Sequence, residues 1–213
     1  KHADIVLCSS AYLKEKVISR SGIDRDIHVI NNAISLPRIA SFDSYPSKVQ
    51  EAINLLKLPK CSLLYIGTIS QWFDFKLICE ALDKNKDVQL VLVGPKDCEI
   101  PSHKQLHYIG SVERQYIYSL MEQASALVMP FIVNELIRSV NPVKMYEYIY
   151  MEKPIIAPHY GEMEKFLPYV NLYHSNEEFM SLVTQLCEGE LQITTEKGKL
   201  LPKRIHGKVG MKK

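Results

Sequence analysis

The sequence predicts an α/β protein built on a doubly wound, mostly parallel, six-stranded sheet with helices on both faces. Three observations carry this. Short apolar runs start near residues 61, 88, 106, 126, 154 and 170, with the length and content of buried parallel strands. The stretches between them are mostly long enough for helices, and several show helical apolar spacing, as in Leu77, Ile78, Ala81 and Leu82. Glycines close three of the runs, at Gly67, Gly94 and Gly110, and open α/β sheets meet their ligands at that carboxyl edge.

In chain order, Ala3 to Cys8 is an apolar run expected as a buried strand. Ser9-Ser10 then caps a helix through Arg20. Ile27 to Ile30 is a second short strand, ending in Asn31-Asn32-Ala33. Residues 35 to 60 begin rich in Pro and Ser (Pro37, Pro46), as a connector, and turn helical from about Lys48 to Leu58. Cys61 to Ile66 is the first strand of the main sheet. Gly67 follows as a turn glycine or a point of ligand approach, with Thr68 beside it, and Asp74 caps the next helix. Trp72, between them, is expected to pack rather than to stack on a ligand. Val88 to Val93 and Leu106 to Ile109 are strands, and Glu113 to Gln123 is a helix with Ile117, Leu120 and Met121 inward. His103 and His107 are expected at the surface, because no third ligand accompanies them at metal spacing. Gly161 to Glu164 turns into a short helix and Val170 to Tyr173 is the sixth strand. Ser175 then caps a helix to about Cys187 with Phe179, Leu182, Val183 and Leu186 inward.

The stretch from Ser125 to Pro158 holds the candidate chemistry. The strand Ala126 to Pro130 leads into a polar loop with Asn134, Glu135, Arg138 and Ser139. Asn141-Pro142 reads as N-cap and first residue of a helix with Met145, Tyr146, Ile149 and Tyr150 inward; Lys153-Pro154 ends it before the strand Ile155 to Ala157. A helix start exposes unpaired N–H groups and the positive dipole end, which suit an anion. Lys144 in the first turn opposes that dipole, which makes sense if an anion binds there. Glu147, one turn on, is placed to accept hydrogen bonds from hydroxyls beside the anion. Phosphate plus a diol describes a nucleotide diphosphate sugar. The plain alternative is a capped core helix with a solvated Lys and Glu on its outer face.

The runs Asn134-Glu135-Leu136, Asn141 to Tyr148 (NPVKMYEY) and Lys153-Pro154-Ile155-Ile156 resemble the donor-site segment of GT-B glycosyltransferases, most of all the group 1, GT4-like family. The likeness extends over roughly residues 1 to 187. It implies a Rossmann-like carboxyl-terminal domain over residues 41–189, binding a UDP- or GDP-linked sugar. Residues 1–40 then form the end of an acceptor domain and a hinge, with the rest of that domain upstream and missing, and 190–213 a basic, disordered tail. By the same resemblance Lys144, with Arg138 as alternate, faces the diphosphate as the catalytic cation and Glu147 holds the ribose. Asn141 starts the diphosphate-binding helix, Gly67 and Thr68 lie at the donor, and Ser111 and Val112 meet the base. Asn134 and Ser139 face the sugar or shape its pocket. Two departures stand out. Many members carry a Glu eight residues before the ribose Glu, where this chain has Ser139, and Asn32 stands where Gly is frequent. No Arg or Lys occupies the matching place in the loop after Gly67, so phosphate contacts fall to Lys144 or Arg138.

Composition sets the bounds. A chain of 213 residues, 46% hydrophobic and 23% charged, has the make-up of a globular protein with one good core. A net charge of +2 argues against general nucleic-acid binding. Cys8, Cys61, Cys79, Cys98 and Cys187 show no metal spacing and are expected as buried free thiols in a reducing, cytoplasmic setting. No apolar run reaches membrane-span length, and the lysine-rich tail is expected to be flexible, with contact to an anionic membrane face as the alternative. No nucleophile elbow, P-loop, zinc-protease or dinucleotide fingerprint occurs. No metal or cofactor is expected, because in the GT-B arrangement a helix start and basic side chains meet the leaving diphosphate. The expected partners are the donor and a glycan or lipid-linked acceptor held by the upstream domain. The alternatives are a nucleotide-binding module without transfer activity and a sugar-nucleotide epimerase of the same architecture.

Overall fold

The computed structural model describes residues 3–22, 26–32 and 44–191; the connector around Pro37 and the tail from 192 onward lie outside these. Two sheets are present. In the smaller, β1 (Val6–Cys8) pairs in parallel with β2 (Ile27–Val29), joined through α1 (Ala11–Ser21). Ser10 caps α1 by accepting from the Leu13 N–H at 3.1 Å, and Gly22 closes it at φ +68. The expected buried strand is not buried: Ile5 and Leu7 are each 62% exposed, because no further strand or helix among the described residues covers that face.

The larger sheet has the order β5-β4-β3-β6-β7-β8, with every pair parallel. It is reached through α2 (Ser47–Lys57). Its strands are β3 (Cys61–Ile66), β4 (Val88–Val93), β5 (Leu106–Gly110), β6 (Ala126–Val128), β7 (Ile155–Pro158) and β8 (Asn171–Tyr173). The helices are α3 (Phe75–Lys84), α4 (Arg114–Gln123), α5 (Glu135–Ser139), α6 (Val143–Tyr150) and α7 (Asn176–Glu188), with a 3₁₀ turn at Gly161–Phe166. Alternation along the strands divides the core. Leu64, Ile66, Val91 and Leu127 face α2, α4, α6 and the 3₁₀ turn. Leu63, Tyr65, Leu90 and Val128 face α3 and α7. The six-stranded, doubly wound fold expected from the apolar runs is the fold observed.

Local departures have local causes. The expected loop at 134–139 is the short helix α5, capped by the Asn134 side chain, which accepts from the Ile137 N–H at 2.9 Å. Helix α6 buries Met145 through Ile149, while Tyr150 is only half-buried. The sheet and the 3₁₀ turn both cover it, the latter through the edge-on contact of Phe166 with Tyr146. Tyr148, fully buried, accepts at its hydroxyl from the Ile66 N–H at 2.9 Å. His103 and His107 are half-buried rather than surface residues. His103 Nδ1 accepts from the Gln105 N–H, and His107 Nε2 is buried without a partner among the described residues. All five cysteines are free; Cys8 and Cys61 are buried and the other three half-buried.

The small sheet attaches to the large one through polar contacts. Ser10 Oγ donates to Ser139 O at 3.0 Å, and the Ala11 N–H donates to Glu162 Oε1 at 2.9 Å. Asn141 Nδ2 donates to Ser9 O at 2.9 Å, and Lys16 meets Glu135 at 2.7 Å. Neither apolar cluster includes a residue of β1, α1 or β2.

Candidate functional site

Strand β3 is where the strand order turns. From it the chain adds β4 and β5 on one side and then β6, β7 and β8 on the other. Loops leaving β3 and β6 therefore part in opposite directions, and such a point is where open α/β sheets form ligand crevices. A cleft of about 420 Å³ lies there. Gly67 and Thr68 line it from the end of β3, Met129 and Phe131 from the end of β6, and Trp72 from the loop between β3 and α3. Leu136 and Val140 close the α5 side, and Lys144 stands at the start of α6.

The walls are fixed by backbone bonds. The Ile132 N–H donates to Trp72 O at 2.7 Å and the Asp74 N–H to Pro130 O at 2.8 Å, so the two loops hold each other. Tyr65 Oη donates to Thr68 O at 2.8 Å. Burial raises the Tyr65 phenol, which keeps it a donor. Beneath this loop Gly94 has φ +140, and a Cβ there would lie 2.0 Å from Gly67 O. Only glycine permits that approach.

Helix α6 starts one residue later than Asn141-Pro142 suggests. Pro142 takes the N-cap position and no side chain caps the first turn. Asn141 is instead buried, spending its amide on Ser9 O and Asn31 Oδ1, with Oδ1 unpartnered among the described residues. The uncapped N–H groups of α6 thus open beside the cleft with Lys144. Lys144 Nζ meets Glu147 Oε2, and Glu147 Oε1 lies 3.5 Å from Arg114 Nη2. Glu147 is buried and does not line the cleft itself. Tyr118 sits beside this group; burial raises its phenol, with Glu147 adding to the rise and Arg114 opposing it.

The other predicted residues fall as follows. Ser111 is exposed, its carbonyl accepting from Lys48 Nζ at 2.9 Å, and Val112 packs half-buried on the core. Asn134 is occupied as the α5 cap, and Ser139 Oγ donates to Leu136 O within its own helix. Arg138 lines a different cleft, of about 510 Å³, on the other side of α5 with Tyr12, Glu15 and His159. The structure thus joins Gly67, Thr68 and Lys144 at one cleft, with Glu147 against Lys144, and separates Arg138 from them. Among the described residues no group of three metal-ligating side chains is present. Sequence reasoning missed Arg114 and Tyr148. Arg114 carried a usable signal, since a cation opening a helix is the same anomaly that singled out Lys144.

No protein-family model matches the sequence. Among curated proteins, a putative teichuronic acid biosynthesis glycosyltransferase of Bacillus subtilis, TuaH, is 25% identical over 200 residues, covering 88% of this chain and 48% of that protein. Among solved structures, a glycosyltransferase from Rickettsia africae superposes with a TM-score of 0.63 at 17% identity, over 89% of this chain and 54% of that one. HepE from Anabaena, solved in complex with UDP-glucose, superposes with a TM-score of 0.61 at 15% identity, over 88% of this chain and 55% of that one. The fold is therefore that of one half of a GT-B glycosyltransferase. The match is domain-sized, and the chain spans about half the length of these relatives. No helix among the described residues is long and apolar enough to cross a membrane.

Proposed function

We propose that this chain is the donor-binding part of a glycosyltransferase that moves a sugar from a nucleotide diphosphate sugar to a saccharide or lipid-linked acceptor. The observation that carries the reading is the uncapped start of α6, with Lys144 in its first turn, opening on the cleft at the turning point of the strand order. In this proposal the α6 N–H groups and Lys144 take the diphosphate and stabilise the negative charge that develops as it leaves, with no metal required. Glu147 takes the ribose, Gly67 and Thr68 approach the donor through their backbone, and Ser111 and Val112 flank the base. The two-stranded unit of β1 and β2 is assigned to the end of the acceptor-binding domain. UDP-linked donors come first, because the HepE relative is solved with UDP and with UDP-glucose.

A thermal-shift screen of UDP, GDP, ADP and their sugars tests the reading, since a ligand bound to the folded state raises its stability. UDP or UDP-sugars are expected to raise the midpoint most. Lys144→Ala is expected to weaken the diphosphate by roughly ten- to a hundredfold, the worth of a charge-assisted contact. An unchanged affinity would return α6 to an ordinary core helix.

A further inference from the structure

Glu147 is a carboxylate with two cations of different standing. Its side chain is only 6% exposed, yet Oε2 meets Lys144 and Oε1 faces Arg114 at 3.5 Å. Lys144 lines the cleft on a flexible stem and is 31% exposed. Arg114, its side chain 76% exposed, opens α4 just after the end of β5 and does not line the cleft. The Arg114–Glu147 pair therefore spans the turning point of the strand order: α4 follows β5 on one side of β3, and α6 follows β6 on the other.

The Lys144 ammonium has three N–H donors, and a diphosphate at the helix start competes with Glu147 for them. A partly exposed Lys–Glu pair is weak, whereas a diphosphate beside a helix start offers more charge and more acceptor oxygens. We propose that Lys144 exchanges partners, leaving Glu147 for the diphosphate, while Arg114 is the positioning residue that holds the Glu147 carboxylate for the ribose hydroxyls. This rests on the donor-site reading above. Diphosphate and ribose recognition then become coupled, because the phosphate draws away the cation that otherwise occupies Oε2. A nucleoside without phosphate has to displace Lys144 unaided. Lys144 accordingly favours the diphosphate and opposes the bare nucleoside.

Calorimetric titration of UDP and of uridine into the 213-residue chain and its variants tests this. Lys144→Met is expected to weaken UDP about tenfold or more while strengthening uridine about two- to fivefold, the worth of releasing a half-exposed ion pair. Arg114→Met is expected to weaken uridine and UDP alike, about two- to fivefold, with Arg114→Lys restoring most of the loss and neither variant shifting Tm. Uridine binding unchanged or weakened in Lys144→Met, with UDP still lost, overturns the exchange and leaves the donor site standing. UDP binding unaffected by Lys144→Met, or absent from the parent chain, removes the donor site and the exchange together. A Tm shift without an affinity change in Arg114→Met, or no rescue by lysine, overturns the role of Arg114.

Discussion

Replacing Tyr148 by phenylalanine removes one oxygen atom from the middle of the domain and leaves the ring in place. That oxygen accepts the Ile66 N–H at 2.9 Å, and Tyr148 is fully buried. The Gly67 N–H points to β4, bonding to Val93 O, so the Ile66 N–H points to the β6 side. There the β3–β6 register covers only Leu63 and Leu64, and the strands have parted by Ile66. The hydroxyl therefore stands in for a missing strand partner. Without it a buried amide is orphaned, at a cost of about 1–3 kcal/mol; the complete burial places the expected loss near 2 kcal/mol. In a domain of this size that corresponds to a Tm fall of roughly 4–8 °C. Urea unfolding should show the midpoint fall with the slope unchanged. Tyr150→Phe, on a half-buried ring of the same helix, serves as the control and should stay within about 0.5 kcal/mol. A loss below that figure for Tyr148→Phe would refute the claim that its hydroxyl completes the sheet.

Four further outcomes follow from the structure. Gly94→Ala would set a Cβ 2.0 Å from Gly67 O at φ +140, backbone against backbone, and should cost more than about 3 kcal/mol or prevent folding. Gly22→Ala, at φ +68 with open space around it, should cost only about 1 kcal/mol by the same urea assay. Burial lowers the His107 pKa below its ordinary 6.5, outweighing the opposing pull of Glu51. The unfolded chain therefore binds that proton more tightly, and stability should decline as pH falls below about 6.5, a slope that His107→Gln should flatten in urea midpoints taken from pH 5 to 7. Glu162→Ala removes the acceptor of the Ala11 N–H and should cost about 1 kcal/mol, with faster hydrogen exchange confined to the start of α1.

Much of this architecture is written in local pattern. Cys61–Ile66 and Val88–Val93 are apolar runs closed by glycine, and both strands occupy those residues. Asp74 and Ser175 cap their helices through the side-chain bonds their residue types favour. Other features needed the third dimension. Helix α5 has five residues, too few for any period to show. Asn141 looks like a cap, but its amide has partners at Ser9 and Asn31, more than a hundred residues away in sequence. Leu7 belongs to an apolar run whose composition does not reveal that it is 62% exposed. At the candidate site, Lys144 and Glu147 were visible as an anomaly on one helix. Arg114, a cation opening α4, carried the same kind of signal, but its pairing with Glu147 did not show, because a pair bridging two helices leaves no periodic trace.

The seam between the two sheets has a mechanical meaning. Apolar contacts resist separation in every direction, since any opening wets them, whereas hydrogen bonds let go one at a time and re-form with water at a net cost of about 1 kcal/mol each. The small sheet is thus pinned rather than glued. Three of its pins, at Glu135, Ser139 and Asn141, sit on the short run of chain that leads directly into the first turn of α6. A tilt of the small sheet and a shift of the Lys144 helix start are in that sense one motion, transmitted along fewer than ten residues of backbone from Glu135 to Val143.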